Sequence, residues 1–363
     1  MCAITATARA WARSRRRRFW RLCMDCCIQR VVVVRPDDKL GETLLATPVF
    51  QALKQTLNGV YVEAWVNGRW RDLIDGSPWL DCVRGVPFRP KGKTFWQLVL
   101  ALRRQRPDAI LILRPDTRRY ASIARWAGVP IRAGAVLHRR AVARLLTHMA
   151  PLQPWMHQVE RNLAIAEVAL RCSMPRPPLH VAPAHPATLP TEIQHLPERS
   201  YVVLHMGTGG VQPRWLPERF AAVAALLWQK YRLLPVLSGA PNDLSVSTRC
   251  REYLQESALD LTGKLTLLGL TEVLRRAKLL VSVDTGVVHL AAAVGTPCVS
   301  LHFRRDYPPH QWHAWQVPNV PVASTEYCSD CTLQRCQPSP TRCVASLHAE
   351  QVIAAIEQLL AKL

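Results

Sequence analysis

Residues 279–297 read LLVSVDTGVVHLAAAVGTP, and this stretch decides the expected fold. It contains an apolar run of the buried-strand type, a polar tight turn and a helix pattern built from small residues. In an open α/β sheet, such a turn brings the amino terminus of a helix to the crevice at the carboxyl ends of the strands, where ligands bind. The N–H groups and partial positive charge of that helix end favour a phosphate group. The stretch therefore predicts a diphosphate site.

The turn itself contains the candidate ligand contacts. Asp284 or Thr285 can cap the helix, because both side chains accept hydrogen bonds from its first N–H groups. Gly286 lets the backbone approach the ligand, and His289 lies in the first turn facing it. A strand–turn–helix without any ligand is one alternative, and an aspartic protease, whose signature is also Asp-Thr-Gly, is another. The triplet occurs once and a helix pattern follows it, which disfavours the protease.

Strand and helix patterns alternate along the chain in two successive halves. Strands are predicted at 31–34, 61–66, 109–113, 201–204, 234–237 and 279–283. Helices are predicted over 95–105, 119–127, 157–171, 217–229, 269–276 and 348–362. The expected fold class is α/β, with two doubly wound, Rossmann-like domains facing a cleft. We expect a basic extension over 1–30, a first domain over 31–178, a Pro-rich linker over 179–199, a second domain over 200–345 and a packing helix over 346–363.

The composition is that of a globular protein, with 363 residues of which 49% are hydrophobic and 20% charged. There is no apolar run of about 18 residues that would predict a transmembrane helix. The net charge of +21 indicates an acidic partner, which can be nucleic acid, an anionic membrane surface or a phosphorylated substrate. Residues 1–23 contain seven arginines and no acidic residue, which fits a membrane surface. A start at Met24 or an unstructured arm is the alternative.

Three separated motifs in this order resemble glycosyltransferase family 9. They are RPDDKLGETLLATP over 35–48, HMGT over 205–208 with RWLPERF over 214–220, and the turn at Asp284. The resemblance extends over about residues 31–360. It implies an ADP-heptose:lipopolysaccharide heptosyltransferase, an inverting enzyme of the two-domain GT-B fold that needs no catalytic metal. It also implies a cytoplasmic protein, peripheral on the inner face of the inner membrane.

The first motif supplies the candidate general base. Gly41 is expected to allow a tight turn after the first strand, and Thr47 with Pro48 to start a helix as N-cap and first-turn proline. Glu42 then projects at the mouth of the cleft. Members of the family usually have Asp at this position and use it as the general base, so the resemblance implies that role for Glu42.

Two other readings of this loop stay open. Asp37 and Asp38 are alternative carboxylates on it. Glu42 can also serve only to favour a helix amino terminus.

The resemblance implies a donor site that binds an ADP-sugar. Its candidate residues are Thr208, Arg214, Lys264, Leu265, Asp284, Thr285, Gly286 and His289. The family commonly has Lys two residues before the motif tryptophan, where this chain has Pro213. Either Arg214 or another cation such as Lys264 replaces it. Lys264 and Leu265 match the segment that flanks the nucleoside.

An anionic glycan or glycolipid acceptor is expected to bind the first domain, because guanidinium groups pair with carboxylates and phosphates. The candidate acceptor residues are Arg35, Lys39, Arg118, Arg119 and Arg132. A solvated basic face without a ligand is the structural alternative for each of them.

Four cysteines, Cys328, Cys331, Cys336 and Cys343, have the spacing C-x2-C-x4-C-x6-C in a short polar segment. In a reduced compartment this spacing is typical of a structural metal site, for which zinc and iron are both candidates. Free thiols or redox pairing are the alternative.

Two rival functions remain. The basic charge and the cysteine cluster also fit a nucleic-acid-binding protein, although the tryptophans are scattered, so we expect no nucleic-acid partner. The second rival is another GT-B nucleotide-sugar enzyme, either an epimerase, which would act without an external acceptor, or a transferase acting on a protein or another glycan.

Overall fold

In a computed structural model of the chain, the described residues are 28–183, 189–209, 213–254, 258–327 and 342–363. They form two compact units. Unit 1 contains the described residues up to Asp38 together with Ala46–Pro177. Unit 2 contains Lys39–Leu45 together with the described residues from Pro178 onward. After the first strand of unit 1, the chain therefore contributes residues 39–45 to unit 2 and then returns to unit 1.

The centre of unit 1 is a parallel six-stranded sheet. Its strands are β1 (Arg30–Arg35), β2 (Tyr61–Asn67), β3 (Cys82–Val86), β4 (Ala109–Ile112), β5 (Ile131–Gly134) and β6 (His148–Met149), in the order β3-β2-β1-β4-β5-β6. Residues 31–34, all valine, are fully buried in β1, as expected for a strand with helices on both faces of the sheet. In the register of the sheet, Val33 lies between Ala64 and Leu111.

Helices follow the strands in both units. Those before the middle of the chain are α1 (Leu40–Leu44), α2 (Thr47–Thr56), α3 (Gly92–Gln105), α4 (Arg118–Ala127) and α5 (Gln158–Leu170). All of these except α1 belong to unit 1. Those of unit 2 are α6 (Thr191–Gln194), α7 (Pro217–Tyr231), α8 (Leu244–Tyr253), α9 (Leu267–Arg276), α10 (Gly286–Ala293), α11 (Pro309–Trp312), α12 (Arg342–Ala345) and α13 (Ala349–Leu360). None of the helices in the described ranges combines the length and apolarity of a membrane span.

Unit 2 repeats the same arrangement of strands. They are β7 (Tyr201–His205), β8 (Leu234–Ser238), β9 (Leu259–Asp260), β10 (Leu279–Val283), β11 (Cys298–His302) and β12 (Asn319–Ala323), in the order β12-β11-β10-β7-β8-β9. All neighbouring pairs are parallel. Chain order runs outward from β7 in one direction and from β10 in the other, so the switch point of the topology lies between β7 and β10. The predicted α/β class with two doubly wound sheets is confirmed.

Some local predictions are wrong. Thr47 is the first residue of α2, and Ala46 takes the N-cap position without a side-chain hydrogen bond. Pro48 lies in the first turn, as expected. Helix α9 begins two residues earlier than predicted, because the hydroxyl of Thr266 accepts a hydrogen bond from the N–H of Gly269 at 3.0 Å and caps it.

A buried carboxylate links three elements of unit 1. Glu63 of β2 accepts hydrogen bonds from Trp65 Nε1 at 2.7 Å and Arg84 Nε at 2.9 Å on one oxygen. Its other oxygen accepts from Gln105 Nε2 at 2.7 Å. Glu63 and Trp65 lie on the same face of the strand, since side chains alternate along it. This fully buried charge is therefore satisfied by neighbours on β2, β3 and α3.

We expect Glu63→Ala to lower the free energy of unfolding by about 2–4 kcal/mol, because it leaves two buried N–H donors without an acceptor. Arg84→Ala, which removes a side chain that is 40% exposed, should cost about 1 kcal/mol or less. Urea unfolding followed by circular dichroism measures both. Equal losses for the two variants would contradict the role assigned to the carboxylate.

Candidate functional site

The carboxyl ends of β7 and β10 flank the switch point of unit 2. Residues Gly207 and Thr208 follow β7, and Asp284 and Thr285 follow β10. Open α/β sheets bind their ligands at this place, because the two neighbouring connections leave the sheet on opposite faces and open a crevice. The structure therefore places three predicted donor residues, Thr208, Asp284 and Thr285, at the same edge of one sheet.

Thr285 is the residue that caps α10. Its backbone is extended, and its hydroxyl accepts a hydrogen bond from the N–H of Val287 at 3.4 Å. Asp284 instead faces His302, with 3.4 Å between its Oδ2 and the ring Nδ1. The other ring nitrogen of His302 hydrogen-bonds the hydroxyl of Ser300 at 2.9 Å. The carboxylate of Asp284 is thus oriented by β11, and the α10 amino terminus keeps backbone N–H groups for an anion.

The short helix α1 packs directly against α10. A Cβ atom on Gly41 would lie 2.7 Å from His289 Cδ2, and one on Gly286 would lie 2.9 Å from Leu40 Cβ and 3.0 Å from the backbone nitrogen of Gly41. The prediction of a tight turn at Gly41 is wrong, because the residue lies inside α1 and its importance comes from this close approach. Glu42, half-buried on α1, therefore belongs to the same compact unit as the α10 amino terminus.

His289 is neutral at ordinary pH. Burial lowers the pKa of its imidazole to about 4, against a smaller opposing effect of Asp284. Its ring lies against Gly41 on one side and 6.4 Å from the ring of Trp312, centre to centre. Trp312 in turn stacks on Tyr307 at 4.8 Å. The side chain can offer a hydrogen bond to a ligand, and it adds no positive charge to the site.

A second polar cluster follows β7 and β8. Asp243 is buried, and its carboxylate accepts from Arg214 Nη2 at 2.6 Å and from the N–H of Ala240 at 2.9 Å. His205 Nδ1 hydrogen-bonds the Ser238 hydroxyl at 3.1 Å. The sequence left the direction of Arg214 open, and the structure places its guanidinium on Asp243. Arg214, the basic residue that follows Pro213, is therefore already paired with a carboxylate.

Two buried hydroxyl groups near this cluster have no hydrogen-bond partner among the described residues. They are those of Thr208, after β7, and Thr262, after β9. Gly207 lies between the first of them and Asp243, and a Cβ atom on it would lie 2.6 Å from the carboxylate. A buried hydroxyl usually has a partner, so a ligand with oxygen atoms would complete this part of the site.

Lys264 and Leu265 line a cavity of about 380 Å³ in unit 2. Its wall also contains residues 189–192, Leu261, Thr266 and Gly269. The Lys264 ammonium donates to the backbone oxygen of Asp260 at 2.8 Å, which holds the loop against the end of β9. The volume lies within the usual range for small-molecule sites, about 300–1,000 Å³.

The predicted acceptor residues differ in accessibility. Arg35 is buried, pairs with Asp37 at 2.9 Å and donates to the carbonyl of Leu113 at 2.8 Å. Asp37 also pairs with Arg114, so this alternative carboxylate is occupied inside unit 1.

Two more of these arginines bond to the backbone. Arg119 donates to the carbonyl of Pro90, and Arg132 to those of Leu145 and Val129. Lys39 and Arg118 are exposed. Acceptor contacts by all five residues stay predictions.

The predicted metal site is only partly within the described residues. Cys328, Cys331 and Cys336 lie outside them. Cys343, on α12, is 1% exposed and belongs to the apolar core of unit 2. Among the described residues no group of histidine, cysteine and carboxylate side chains could hold a metal ion, and the metal site stays a prediction.

Sequence reasoning missed Asp243, His205 and His302. Each lies at or just after the carboxyl end of a strand in unit 2. The signal was available for His302, because it ends an apolar strand pattern two residues after Ser300 and must share its face. Asp243 could not be found in this way, since its contact with Arg214 joins segments that are 29 residues apart.

Burial also makes the fold sensitive to acid. The pKa values of His180, His205 and His289 are each lowered from 6.5 to about 4 by desolvation. Below about pH 6.5 these histidines are protonated in the unfolded chain but stay neutral in the folded one. The free energy of unfolding therefore falls as the pH falls toward 4. Each histidine contributes on the order of 3 kcal/mol to this loss.

In urea titrations between pH 7 and 5, His289→Asn should flatten the dependence of the free energy of unfolding on pH. His310→Asn, an exposed control, should not. The same pH dependence in all three proteins would contradict this assignment.

Comparisons with known proteins agree with the geometry. Residues 95–341 match the family model for glycosyltransferase family 9 (heptosyltransferase), which is more than half of the chain. Lipopolysaccharide heptosyltransferase 3 of Escherichia coli is 24% identical over 340 residues, which are 88% of this chain and 96% of that protein.

Solved structures share the fold. The glycosyl transferase family 9 protein from Veillonella parvula aligns with a TM-score of 0.74 and 19% identity, covering 92% of this chain and 98% of that one. The E. coli ADP-heptose lps heptosyltransferase II aligns with a TM-score of 0.73 and 17% identity, covering 92% and 99%. With its fold, its switch-point site and its family match in agreement, the chain belongs to glycosyltransferase family 9, the heptosyltransferase family, and is a glycosyltransferase.

Proposed function

We propose that this enzyme transfers a heptose, or a related sugar, from an ADP-sugar to an anionic acceptor of the lipopolysaccharide core, with inversion at the anomeric carbon. The observation that carries the proposal is the packing of α1 on α10, because it joins the carboxylate-bearing helix to the phosphate-binding helix end. The names of its relatives, lipopolysaccharide heptosyltransferase 3 and ADP-heptose lps heptosyltransferase II, supply the donor and the acceptor.

Glu42 acts as the general base in this proposal. It removes the proton from an acceptor hydroxyl as that oxygen attacks the anomeric carbon. The carbon–oxygen bond to the diphosphate breaks on the opposite face of the sugar, which inverts the configuration. General-base assistance of this kind contributes about 10²–10⁴-fold to the rate.

The backbone N–H groups at the start of α10 stabilise the departing diphosphate. The leaving group gains negative charge as the bond breaks, so fixed donors bind the transition state more strongly than the ground state. Thr285 keeps the helix end capped, and neutral His289 adds a hydrogen bond. The unpartnered hydroxyl of Thr208 is a further donor for a phosphate oxygen.

The cavity lined by Lys264 and Leu265 holds the adenosine. The leucines of its mixed wall, Leu189, Leu261 and Leu265, suit a base, and the start of α9 borders it. We further propose that the enzyme works at the cytoplasmic face of the membrane, where a lipid-linked acceptor is presented. Of the predicted acceptor residues, Lys39 and Arg118 are the two in the exposed class.

An epimerase acting on the nucleotide-sugar is the second candidate. It would convert the donor without any acceptor. Analysis of the products by mass spectrometry separates the two, because only a transferase lengthens the acceptor by one sugar.

We expect Glu42→Gln to lower kcat by about 10²–10⁴-fold, because the amide cannot accept the hydroxyl proton. Binding of ADP, followed by calorimetry, should stay within about twofold, since the base is not part of the nucleotide site. Glu42→Asp, which restores the residue usual in the family, should keep measurable turnover.

The matched control is Asp38→Asn, an exposed carboxylate on the same loop. It should leave kcat within about threefold. A large loss in Asp38→Asn with retained activity in Glu42→Gln would assign the base to Asp38 instead.

ADP should stabilise the protein selectively over UDP and GDP. A ligand at about 100 times its Kd raises the free energy of unfolding by about 2.7 kcal/mol. Leu265→Asp should weaken ADP binding by at least about tenfold, because it introduces an unpaired carboxylate into the cavity wall. Leu137→Asp, an exposed leucine of unit 1, is the control. Equal stabilisation by the three nucleotides would contradict the assignment of the cavity to adenosine.

A further inference from the structure

Two neighbouring helices of unit 1 expose large apolar side chains on one surface. Trp96 and Leu100 on α3 are 52% and 48% exposed, and Trp126 on α4 is 58% exposed. The rings of Trp96 and Trp126 meet edge to face, with their centres 5.9 Å apart. These three side chains are called the tryptophan patch. They form one continuous apolar area that bridges the two helices.

The two helices contact the core of unit 1 through other residues than the tryptophan patch. The opposite face of α3 buries Leu98, Val99 and Leu102 in the core of unit 1, and α4 buries Tyr120 and Ile123 there. The side chains of the tryptophan patch are therefore not part of the buried core of unit 1. Contiguous exposed apolar side chains of this size mark a surface that binds a partner or a membrane.

The charge around the tryptophan patch has one sign. Helices α3 and α4 contain six basic residues and no acidic residue. The basic residues are Lys93, Arg103, Arg104, Arg118, Arg119 and Arg125. One of them, Arg103, donates to the backbone oxygen of Trp126 at 2.9 Å and fixes the two helices to each other. The tryptophan patch thus lies on two mutually fixed helices whose charged side chains are all basic.

We propose that the tryptophan patch docks unit 1 on a bilayer that contains anionic lipid. Tryptophan prefers the interface between headgroups and acyl chains, and leucine partitions below it. Each basic residue near an anionic surface strengthens binding by about fivefold. The choice of a lipid surface rests on the proposed function, since its acceptor is a membrane lipid.

Other partners fit this surface less well. A second copy of the chain would bring two sets of six like charges together across a symmetric contact, which costs free energy. Single-stranded nucleic acid needs aromatic faces on which bases stack. Here the two rings are inclined at 65° and touch at an edge, and Leu100 has no aromatic face.

The test is flotation of the full-length protein with vesicles of phosphatidylethanolamine and phosphatidylglycerol, compared with vesicles of phosphatidylcholine. The triple variant Trp96→Gln, Leu100→Gln, Trp126→Gln should bind the anionic vesicles at least about tenfold more weakly. Trp155→Gln is the matched control, because Trp155 is 69% exposed in unit 1 outside the patch, and it should bind within about twofold of the unchanged protein. All variants keep residues 1–27, so the basic extension contributes equally to each.

Three results would overturn the proposal. They are equal anionic-vesicle binding by the triple variant and the unchanged protein, self-association in light scattering that only the triple variant lacks, and RNA binding that the triple variant alone loses. Circular dichroism and the melting temperature confirm that the triple variant is folded. Transfer to a delipidated, soluble acceptor should be unchanged in it. Absence of transfer by the unchanged protein, together with vesicle binding that the triple variant loses, would instead contradict the proposed function and leave the docking surface standing.

Discussion

The close backbone contact between Gly41 and Gly286 is the constraint on which the site depends. Neither residue has a Cβ atom, and an added one would lie 2.7–3.0 Å from the opposite helix. Because both side chains are absent, α1 can pack closely on α10 within unit 2. The position of Glu42 relative to the helix amino terminus therefore depends on the steric fit between two glycines.

Polar side chains around the switch point contact one another. Arg214 is paired with Asp243, and Asp284 faces His302. Burial keeps His289 neutral. In the proposed function, the charge of the diphosphate is met mainly by oriented N–H and O–H dipoles at the start of α10 and at Thr208. Such donors are already fixed in place, so they need little reorganisation when the leaving group gains charge.

The elements that could be predicted from the sequence are those whose structure is determined by residues within the same short segment. The valine run of β1 and the apolar run of β10 are buried on both faces and show it in their composition. The start of α10 could be predicted because Thr285 caps it through its own side chain. The role of Gly41 could not, since it depends on a partner more than 200 residues away, and the sequence offers only a glycine beside a carboxylate. Asp243 is hidden for the same reason, because its hydrogen bonds to Arg214 and Ala240 exist only once β7 and β8 are adjacent.

Two departures from the family pattern bear on the same contact. Glu42 is one methylene longer than the usual aspartate, and α1 cannot shift outward to compensate without opening a gap between Leu40 and Gly286. The extra length must then be absorbed by the side-chain rotamer, which adds a torsion to fix in the transition state. Pro213 removes the usual lysine, and the neighbouring Arg214 is held by Asp243. Because Pro213 leaves the proposed donor site without that lysine, the proposed mechanism relies on the dipoles of α10, and hence on the glycine contact that places them beside the proposed base.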